Sequence, residues 1–281
     1  MNKKLGFIGA GKMANSIMNG IFNSKLFEKF SFFDINEQTV EEIKNKYNAT
    51  FYNSIQELVK NNDIIMICIK PFIINEVLDE INKEINEKKL IISIAAGVTS
   101  QKIETKLNNK AKVIRVMPNT PALINEGISG LCKGAYAKDD DLDIAQKIMQ
   151  SVGETVIVNE DKFDIVTALS GSGPAFYYYI INEFAKSAQN LGLDYETALK
   201  LSTQTAIGAG KMILNGLKNN INVDKLIENV TTKGGCTEVG NNVLATSDIK
   251  DILNKTIVDT MEKAKKLGWF KKVINPFFIF N

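Results

Sequence analysis

Residues 5–14 of the chain read LGFIGAGKMA, an apolar stretch that runs directly into a glycine turn. The turn has the pattern G-x-G-x-x-A at Gly9, Gly11 and Ala14, and a helical pattern continues from there to Phe22. In a βα unit the first glycine permits the tight turn and the second lets the backbone approach a pyrophosphate. The stretch therefore predicts a dinucleotide-binding domain; the alternative is a glycine turn in another kind of βα unit.

An acidic residue follows the second predicted strand. Asp34 closes the apolar run Phe30–Phe33 about twenty residues after the turn, where a carboxylate would hydrogen-bond the adenosine ribose. No Arg or Lys lies within residues 35–39 to receive a 2′-phosphate, which favours NAD(H) and leaves NADP(H) as the second choice. The alternative is that Asp34 caps the predicted helix Glu37–Tyr47.

The first part of the chain alternates strand and helix patterns. Ile64–Ile69 and Leu90–Ile94 are nearly continuous apolar runs, which is typical of strands buried on both faces of a parallel sheet. This alternation predicts an α/β Rossmann domain with a doubly wound, mostly parallel sheet over residues 1–160. From about Asp161 only helical patterns remain, so we expect an all-α domain over residues 161–281. Within it, Tyr177–Ile181 is apolar on most sides, which indicates either a dimer interface or an internal core.

Composition limits the classes of protein. The chain has 281 residues, 44% hydrophobic and 23% charged, with a formal net charge of +2. These values indicate a globular protein of two domains with no bias towards nucleic acid or membrane surfaces. The first strand begins almost at Met1, and no apolar run is long enough to cross a bilayer, so we expect neither a leader nor a membrane anchor. The three scattered cysteines predict no disulfide framework and no metal site, and they favour a cytoplasmic location.

The chain contains no histidine. No imidazole can serve as general acid, general base or metal ligand, which excludes dehydrogenases that move an alcohol proton through His. Proton chemistry must use Lys, Tyr, a carboxylate, Cys, a hydroxyl group, water or the substrate itself.

Four loops follow predicted strands or open a predicted helix. Lys70 and residues 95–97 come directly after buried strands, at the sheet edge where nucleotides bind. Asn119 lies in the stiff turn Met117-Pro118-Asn119-Thr120-Pro121 and would contact the nicotinamide. For Lys70 the alternative is an ordinary surface lysine, and for the turn around Asn119 it is a purely structural role. The segment Thr231–Glu238 offers amides and hydroxyl groups that suit a carboxylate, or it is an ordinary glycine helix break with threonine caps.

Together these segments resemble the pyrroline-5-carboxylate reductase family. Residues 5–14 match its cofactor turn, residues 116–122 its M-P-N-T-P loop, and residues 168–175 its S-G-S-G-P-A signature. Residues 230–237 match its V-T-S-P-G-G-T-T loop imperfectly, and the likeness runs in order from Lys4 to Phe270. It implies reduction of 1-pyrroline-5-carboxylate to L-proline, and a helical substrate-binding domain that interlocks into dimers and often into pentamers of dimers.

The resemblance also implies site residues by position. The cofactor residues are Gly9, Gly11, Lys12 and Met13 at the pyrophosphate, Asp34 and Asn53 at the adenosine, and Ile69, Lys70, Pro71, Ala95, Ala96, Gly97 and Asn119 at the nicotinamide half. The substrate residues are Thr232, Gly234, Gly235, Cys236 and Thr237, with Thr237 nearest the ring nitrogen as the catalytic hydroxyl. A cyclic imine needs only a weak proton donor, which agrees with the missing histidine.

The substrate loop departs from the family pattern. Thr232 stands where the family has Ser, Lys233 replaces Pro, and Cys236 replaces the first Thr. The lysine adds a positive charge useful for a carboxylate, and the cysteine removes a good hydrogen-bond donor.

Two other functions are compatible with parts of the sequence. A β-hydroxyacid dehydrogenase would use a helix Lys with an Asn four residues later, a spacing found at Lys186 and Asn190. Lys186 lies too far beyond the Gly-Ser-Gly turn for that family, so we expect it on a solvated helix face. A non-catalytic NAD-sensing module would bind nucleotide without turnover, and the altered substrate loop is the only feature that favours it.

Overall fold

The computed structural model describes residues 1, 3–108 and 111–267. These residues form two compact units, one made of Met1–Ser172 with residues 259–267 and the other of Gly173–Val258. The domain boundary expected after residue 160 stays a prediction. The end of the predicted helical domain, residues 268–281, lies outside the described residues.

The first unit contains an eight-stranded sheet. Its strands are β1 (Leu5–Ile8), β2 (Phe30–Phe33), β3 (Thr50–Phe51), β4 (Ile64–Ile67), β5 (Leu90–Ser93), β6 (Lys112–Met117), β7 (Gly127–Lys133) and β8 (Gly153–Ile157). They lie in the order β3-β2-β1-β4-β5-β6-β7-β8, and only the pair β6 and β7 is antiparallel. The strand order reverses between β1 and β4, as in the predicted doubly wound fold.

Helices connect these strands. They are α1 (Lys12–Ser24), α2 (Glu37–Tyr47), α3 (Ile55–Asn61), α4 (Ile74–Ile81), α5 (Ser100–Lys106), α6 (Asp139–Gln150) and α7 (Phe163–Val166). Short 3₁₀ helices cover Pro71–Ile73, Thr120–Ile124 and Glu160–Lys162, and a π-helical turn covers Thr167–Gly171.

The sheet has a hydrophobic layer on each face. In β4, Ile64 and Met66 belong to one buried cluster, and Ile65 and Ile67 belong to the other. Successive side chains of a strand point to opposite faces, so a strand covered on both sides needs apolar residues at every position. This requirement explains the continuous apolar runs of the sequence.

The second unit is helical. Its helices are α8 (Gly173–Asn190), α9 (Tyr195–Lys218), α10 (Val223–Val230), α11 (Cys236–Thr246) and most of α12 (Ile249–Leu267). In α8 the side chains of Tyr177, Tyr178 and Tyr179 are 64%, 63% and 69% exposed. A run of large exposed aromatic side chains is typical of a surface that a partner covers.

Some elements differ from the sequence expectation. β3 has two residues and α3 has seven, and neither was predicted because such short elements show little periodicity. α6 begins at Asp139, where the Asp141 carboxylate accepts from the Lys138 amide at 3.0 Å and fixes the first turn.

Candidate active site

The glycine turn joins β1 to α1, and its two glycines have different surroundings. Gly9 has a φ of +90°, and a Cβ added to it would lie 2.6 Å from the carbonyl oxygen of Cys68. The left-handed conformation and the close neighbour both require glycine there. A Cβ added to Gly11 would meet no protein atom within 4 Å. Gly11 therefore leaves open space at the N-terminus of α1, where backbone amides can bind a phosphate.

Asp34 follows β2 directly and is hydrogen-bonded to the glycine turn. Its Oδ2 accepts from the Ala10 amide at 2.6 Å, and its Oδ1 accepts from the Asn36 amide at 2.9 Å. The residue that caps α2 is Asn36, whose side chain accepts from the Thr39 amide at 2.9 Å. The alternative interpretation of Asp34 as the helix cap is therefore wrong, because the capping position lies two residues further along the chain.

The parallel register aligns the carboxyl ends of the strands. Ile8 pairs with both Phe33 and Ile67, and Ile67 pairs with Ser93. The predicted cofactor residues follow these strand ends: Gly9, Gly11, Lys12 and Met13 after β1, Asp34 after β2, Asn53 after β3, Ile69, Lys70 and Pro71 after β4, Ala95, Ala96 and Gly97 after β5, and Asn119 after β6. Doubly wound sheets bind nucleotides at this edge.

The loops after β4 and β5 have distinct local structures. Lys70 is exposed and precedes the 3₁₀ helix that Pro71 opens. Gly97 has a φ of +73°, which its glycine identity permits without strain. The Ala95 amide donates to the Ser93 hydroxyl at 3.3 Å, so the loop begins with a local turn.

The loop after β6 is fixed on two sides. The Asn119 side chain is buried, and its Oδ1 accepts from the Ile128 amide at 2.9 Å. The Ser16 hydroxyl of α1 donates to the carbonyl of Ala122 at 2.6 Å. The turn is therefore fixed between α1 and β7, and the Asn119 side chain contributes to the structure of the turn.

A buried charged group near this loop was not predicted from the sequence. Arg115 lies in β6 with its side chain 5% exposed, and its Nη1 is 3.2 Å from Oε1 of Glu160. The guanidinium stacks over the ring of Phe163, 4.4 Å from the centroid. The same carboxylate accepts from the Ser100 amide at 2.7 Å and from the Ser100 hydroxyl at 2.5 Å. An arginine within an apolar strand was the available signal, because buried charges require partners.

Other buried titratable groups surround Arg115. Burial raises the pKa of Glu104, and the nearby Glu160 carboxylate raises it further, while the amides of Tyr136 and Ala135 oppose the shift. Burial also raises the pKa of Cys132 to about 12. Because the thiolate is the reactive form, burial disfavours reaction of the Cys132 thiol.

The predicted substrate loop connects α10 to α11 in the helical unit. Gly234 has a φ of +74°, and Gly235 is the N-cap residue of α11. Thr232, Cys236 and Thr237 are exposed. The Gly234 amide, one of the predicted anion-binding groups, donates to the carboxylate of Glu238 at 2.7 Å. Sequence reasoning did not identify Glu238 as a residue that binds this loop.

Lys186 has the surroundings of a surface residue. Its Nζ lies 2.8 Å from the Glu183 carboxylate one helical turn away, and both side chains are about half exposed. Hydrogen bonding and Coulomb attraction to Glu183 raise the pKa of Lys186. This agrees with the solvated helix face expected for it.

The part of the chain that the structure describes has neither a metal-binding cluster nor a membrane-spanning helix. There, no three His, Cys, Asp or Glu side chains are grouped so that they could hold a metal ion. In the same ranges, no helix has the length and apolar character needed to cross a membrane.

Two family-level sequence patterns match the chain. The one described as "Pyrroline-5-carboxylate reductase dimerisation" covers residues 160–267, and the one described as "NADP oxidoreductase coenzyme F420-dependent" covers residues 4–97. The first includes the substrate loop, and the second includes the glycine turn and the loops after β2, β4 and β5.

Individual relatives match over nearly their whole length. The chain is 35% identical over 269 residues to the pyrroline-5-carboxylate reductase of Methanosarcina acetivorans, which covers 95% of this chain and 98% of that protein. Among solved structures, that of a pyrroline-5-carboxylate reductase from Coxiella burnetii has a TM-score of 0.89 and 30% identity, over 95% of this chain and 99% of that one. Plasmodium falciparum pyrroline carboxylate reductase with NADP bound has a TM-score of 0.82 and 30% identity, over 95% and 98% of the two chains. The resemblance and the fold class predicted from the sequence are thus confirmed, and the chain belongs to the pyrroline-5-carboxylate reductase family.

Proposed function

We propose that this chain reduces 1-pyrroline-5-carboxylate to L-proline with a hydride from NAD(P)H, as the final step of proline biosynthesis. Membership of the reductase family supports the reaction and the substrate. The observation that carries the proposal is the open turn at the sheet edge, where among the described residues a Cβ added to Gly11 would have open space around it and where Asp34 is hydrogen-bonded to Ala10. Such a turn suits a dinucleotide pyrophosphate.

The residues along the sheet edge would hold the cofactor. We assign the pyrophosphate to Gly9, Gly11, Lys12 and Met13, the adenosine to Asp34 and Asn53, and the nicotinamide half to Ile69, Lys70, Pro71, Ala95, Ala96, Gly97 and Asn119. Support comes from their common position after the strand ends. When bound, the nicotinamide supplies the hydride, and the protein supplies orientation.

The substrate needs little further chemistry from the protein. Its C=N carbon accepts the hydride and its nitrogen takes a proton, so the imine is reduced while the nicotinamide is oxidised. We assign the weak proton donor to the exposed hydroxyl of Thr237. Thr232, Gly234, Gly235 and Cys236 would bind the carboxylate, supported by the αL turn at Gly234 and the helix start at Gly235.

We propose NADH as the preferred cofactor. The Asp34 carboxylate follows β2, and a negative charge there suits a ribose 2′-hydroxyl and repels a 2′-phosphate. NADPH remains the alternative cofactor, since a family member of known structure holds NADP.

We further propose that the enzyme is a homodimer, or a pentamer of such dimers, and that it works in the cytoplasm. The exposed aromatic side chains of α8, including Tyr177 and Tyr179, support association through the helical unit. Three free cysteines support a reducing compartment.

Steady-state turnover of the purified protein with racemic 1-pyrroline-5-carboxylate tests the reaction. We expect loss of the reduced-nicotinamide absorbance with both cofactors, and faster loss with NADH. Preference for NADPH would retain the reaction and overturn the argument from Asp34. Tight nucleotide binding without turnover would overturn the proposed reaction and favour the nucleotide-sensing alternative.

A further inference from the structure

We propose that Glu160 is a positioning residue for the nicotinamide half of the cofactor site. This inference rests on the proposed function for the location of that half. It starts from one carboxylate that accepts three hydrogen bonds, two from Ser100 at the start of α5 and one from Arg115 in β6.

The first partner of Glu160 is Ser100, which follows the loop after β5. Ser100 is the first residue of α5, and both its amide and its hydroxyl donate to the Glu160 carboxylate, at 2.7 and 2.5 Å. Ser100 lies three residues after Gly97, the last residue of the β5 loop that we assign to the nicotinamide half. Charge-assisted bonds of this length are strong, and a carboxylate at a helix start is further stabilised by the helix dipole. Glu160 therefore fixes the first residue of α5, three residues beyond the loop formed by residues 95–97.

The second partner of Glu160 is Arg115 in β6, the strand that leads into the loop containing Asn119. The Nη1 atom of Arg115 donates to Oε1 of Glu160 at 3.2 Å. The guanidinium stacks on the Phe163 ring, with its central carbon 4.4 Å from the ring centroid. Arg115 is nearly fully buried in β6, four residues before Asn119. A buried guanidinium that lost its carboxylate would have to move or draw in water, because an unpaired buried charge is costly.

One carboxylate thus joins the helix that follows the β5 loop to the strand that precedes the β6 loop. β5 and β6 are paired, with Ser93 opposite Arg115, so their two loops leave the sheet side by side. Glu160 lies in the 3₁₀ helix Glu160–Lys162, outside both strands, and its side chain is 28% exposed. Loops held at a shared point present a fixed surface to a ligand, and fixed geometry is what hydride transfer requires.

The test separates the nicotinamide from the rest of the cofactor. Binding of NADH and of ADP-ribose, which lacks the nicotinamide ring, is measured by calorimetry on the full chain for the wild type and Glu160→Gln. We expect the affinity for ADP-ribose to change less than about twofold, while the affinity for NADH falls about fivefold or more, since only the nicotinamide contacts are disturbed. The matched control is Asp161→Asn, because Asp161 is an exposed neighbour that pairs only with Lys162 among the contacts described.

A second measurement uses turnover with NADH deuterated at the transferred position. We expect Glu160→Gln to lower kcat about tenfold and to raise the isotope effect on kcat, because hydride transfer becomes more limiting when the ring is misplaced. A purely structural role would lower the melting temperature and weaken both ligands equally, with an unchanged isotope effect. That result overturns the inference.

Milder variants keep the inference testable if Glu160→Gln does not fold. Ser100→Ala removes one hydroxyl donor, and Arg115→Lys retains the charge but loses the planar stacking on Phe163. Both are expected to reduce the ratio of NADH to ADP-ribose affinity. Selective weakening of NADH in a protein that reduces no imine would overturn the proposed function and retain the role of Glu160. An unchanged ratio in an active enzyme would do the reverse.

Discussion

The Oδ2 atom of Asp34 lies 2.6 Å from the amide nitrogen of Ala10, so the acidic residue after β2 is hydrogen-bonded to the glycine turn after β1. The sequence pattern places these two features about twenty residues apart. In the folded protein they are joined by this bond, and a change at Asp34 is therefore expected to affect the shape of the turn as well as any cofactor bound there.

Asp34→Asn is expected to reduce the preference for NADH. The amide oxygen can still accept from Ala10, while the negative charge that opposes a 2′-phosphate is removed. We expect the ratio of kcat/KM for NADH to kcat/KM for NADPH to fall about tenfold, equivalent to about 1.4 kcal/mol. Glu37→Gln, an exposed change in the first turn of α2, is the control. An unchanged ratio would show that Asp34 does not select the cofactor.

Replacing the two glycines with alanine is expected to give opposite results. Gly9→Ala places a Cβ 2.6 Å from the Cys68 carbonyl oxygen in a left-handed backbone, and overpacking of this kind costs about 1–3 kcal/mol of unfolding free energy. Gly11→Ala meets no protein atom and should leave the unfolding free energy within about 0.5 kcal/mol. It should nevertheless weaken NADH binding about tenfold or more, because the Cβ enters the space for the pyrophosphate. Urea unfolding and calorimetric titration measure the two quantities; loss of stability in Gly11→Ala would contradict the assignment.

Glu238→Gln is expected to lower the KM for the imine substrate. The Glu238 carboxylate accepts from the Gly234 amide at 2.7 Å and so competes with a substrate carboxylate for that donor. A neutral amide is a weaker acceptor, and a lost charge-assisted bond of about 1 kcal/mol corresponds to a several-fold lower KM. We expect kcat to change little. Glu228→Gln, which removes a carboxylate paired with Lys225 on α10, is the control, and a KM that rises in Glu238→Gln would show that this bond supports the loop.

The stability of the protein is expected to depend on pH through Glu104. Its pKa in the folded protein lies above the ordinary value of 4.5, chiefly because of burial. The folded state then holds the proton more tightly than the unfolded state, so this stabilisation is complete below pH 4.5 and is lost as the pH rises through the folded pKa. Glu104→Gln cannot ionise, and its melting temperature should rise relative to the wild type between acid and neutral pH. The exposed variant Glu154→Gln is the reference. Melting temperatures that change with pH in the same way in Glu104→Gln, in the wild type and in this reference would count against the role of Glu104.

Lys186→Ala is expected to leave the reductase nearly unchanged. The lysine pairs with Glu183 on an exposed helix face, where solvent screens the attraction and the pair contributes little to stability. We expect kcat/KM for the imine within about twofold of the wild type, since surface changes have small effects. Abolished activity would instead indicate the lysine-dependent chemistry of a β-hydroxyacid dehydrogenase.

The sheet was predictable where one local rule decided the structure. Continuous apolar runs such as Ile64–Ile67 indicated strands covered on both faces, and the glycine turn indicated where β1 ends. β3 escaped prediction because a two-residue edge strand is defined by pairing with β2 and carries no pattern of its own. The antiparallel direction of β7 likewise depends on pairing with β6, which the local sequence does not encode.

The same distinction applies to the candidate site. Positions such as Gly9 and Asp34 could be read from the sequence because they stand at fixed offsets from strand ends. The contact between Arg115 and Glu160 joins residues 45 positions apart, and no local pattern reports on such a contact. Glu238 was missed for another reason: a glutamate in the first turn of a helix is so common that its bond to Gly234 has no sequence signature.

The two glycines of the turn are also constrained by different causes, so we expect them to change differently during evolution. The protein itself dictates Gly9, because its backbone and the Cys68 carbonyl leave no room for a methyl group. A ligand is the expected reason for Gly11, because among the described residues a Cβ there would meet nothing within 4 Å beyond its chain neighbours and its own helix backbone. In a descendant lineage that had abandoned its nucleotide but kept its fold, Gly9 would persist while Gly11 drifted. The pair would therefore serve as a marker that separates active descendants from inherited scaffolds.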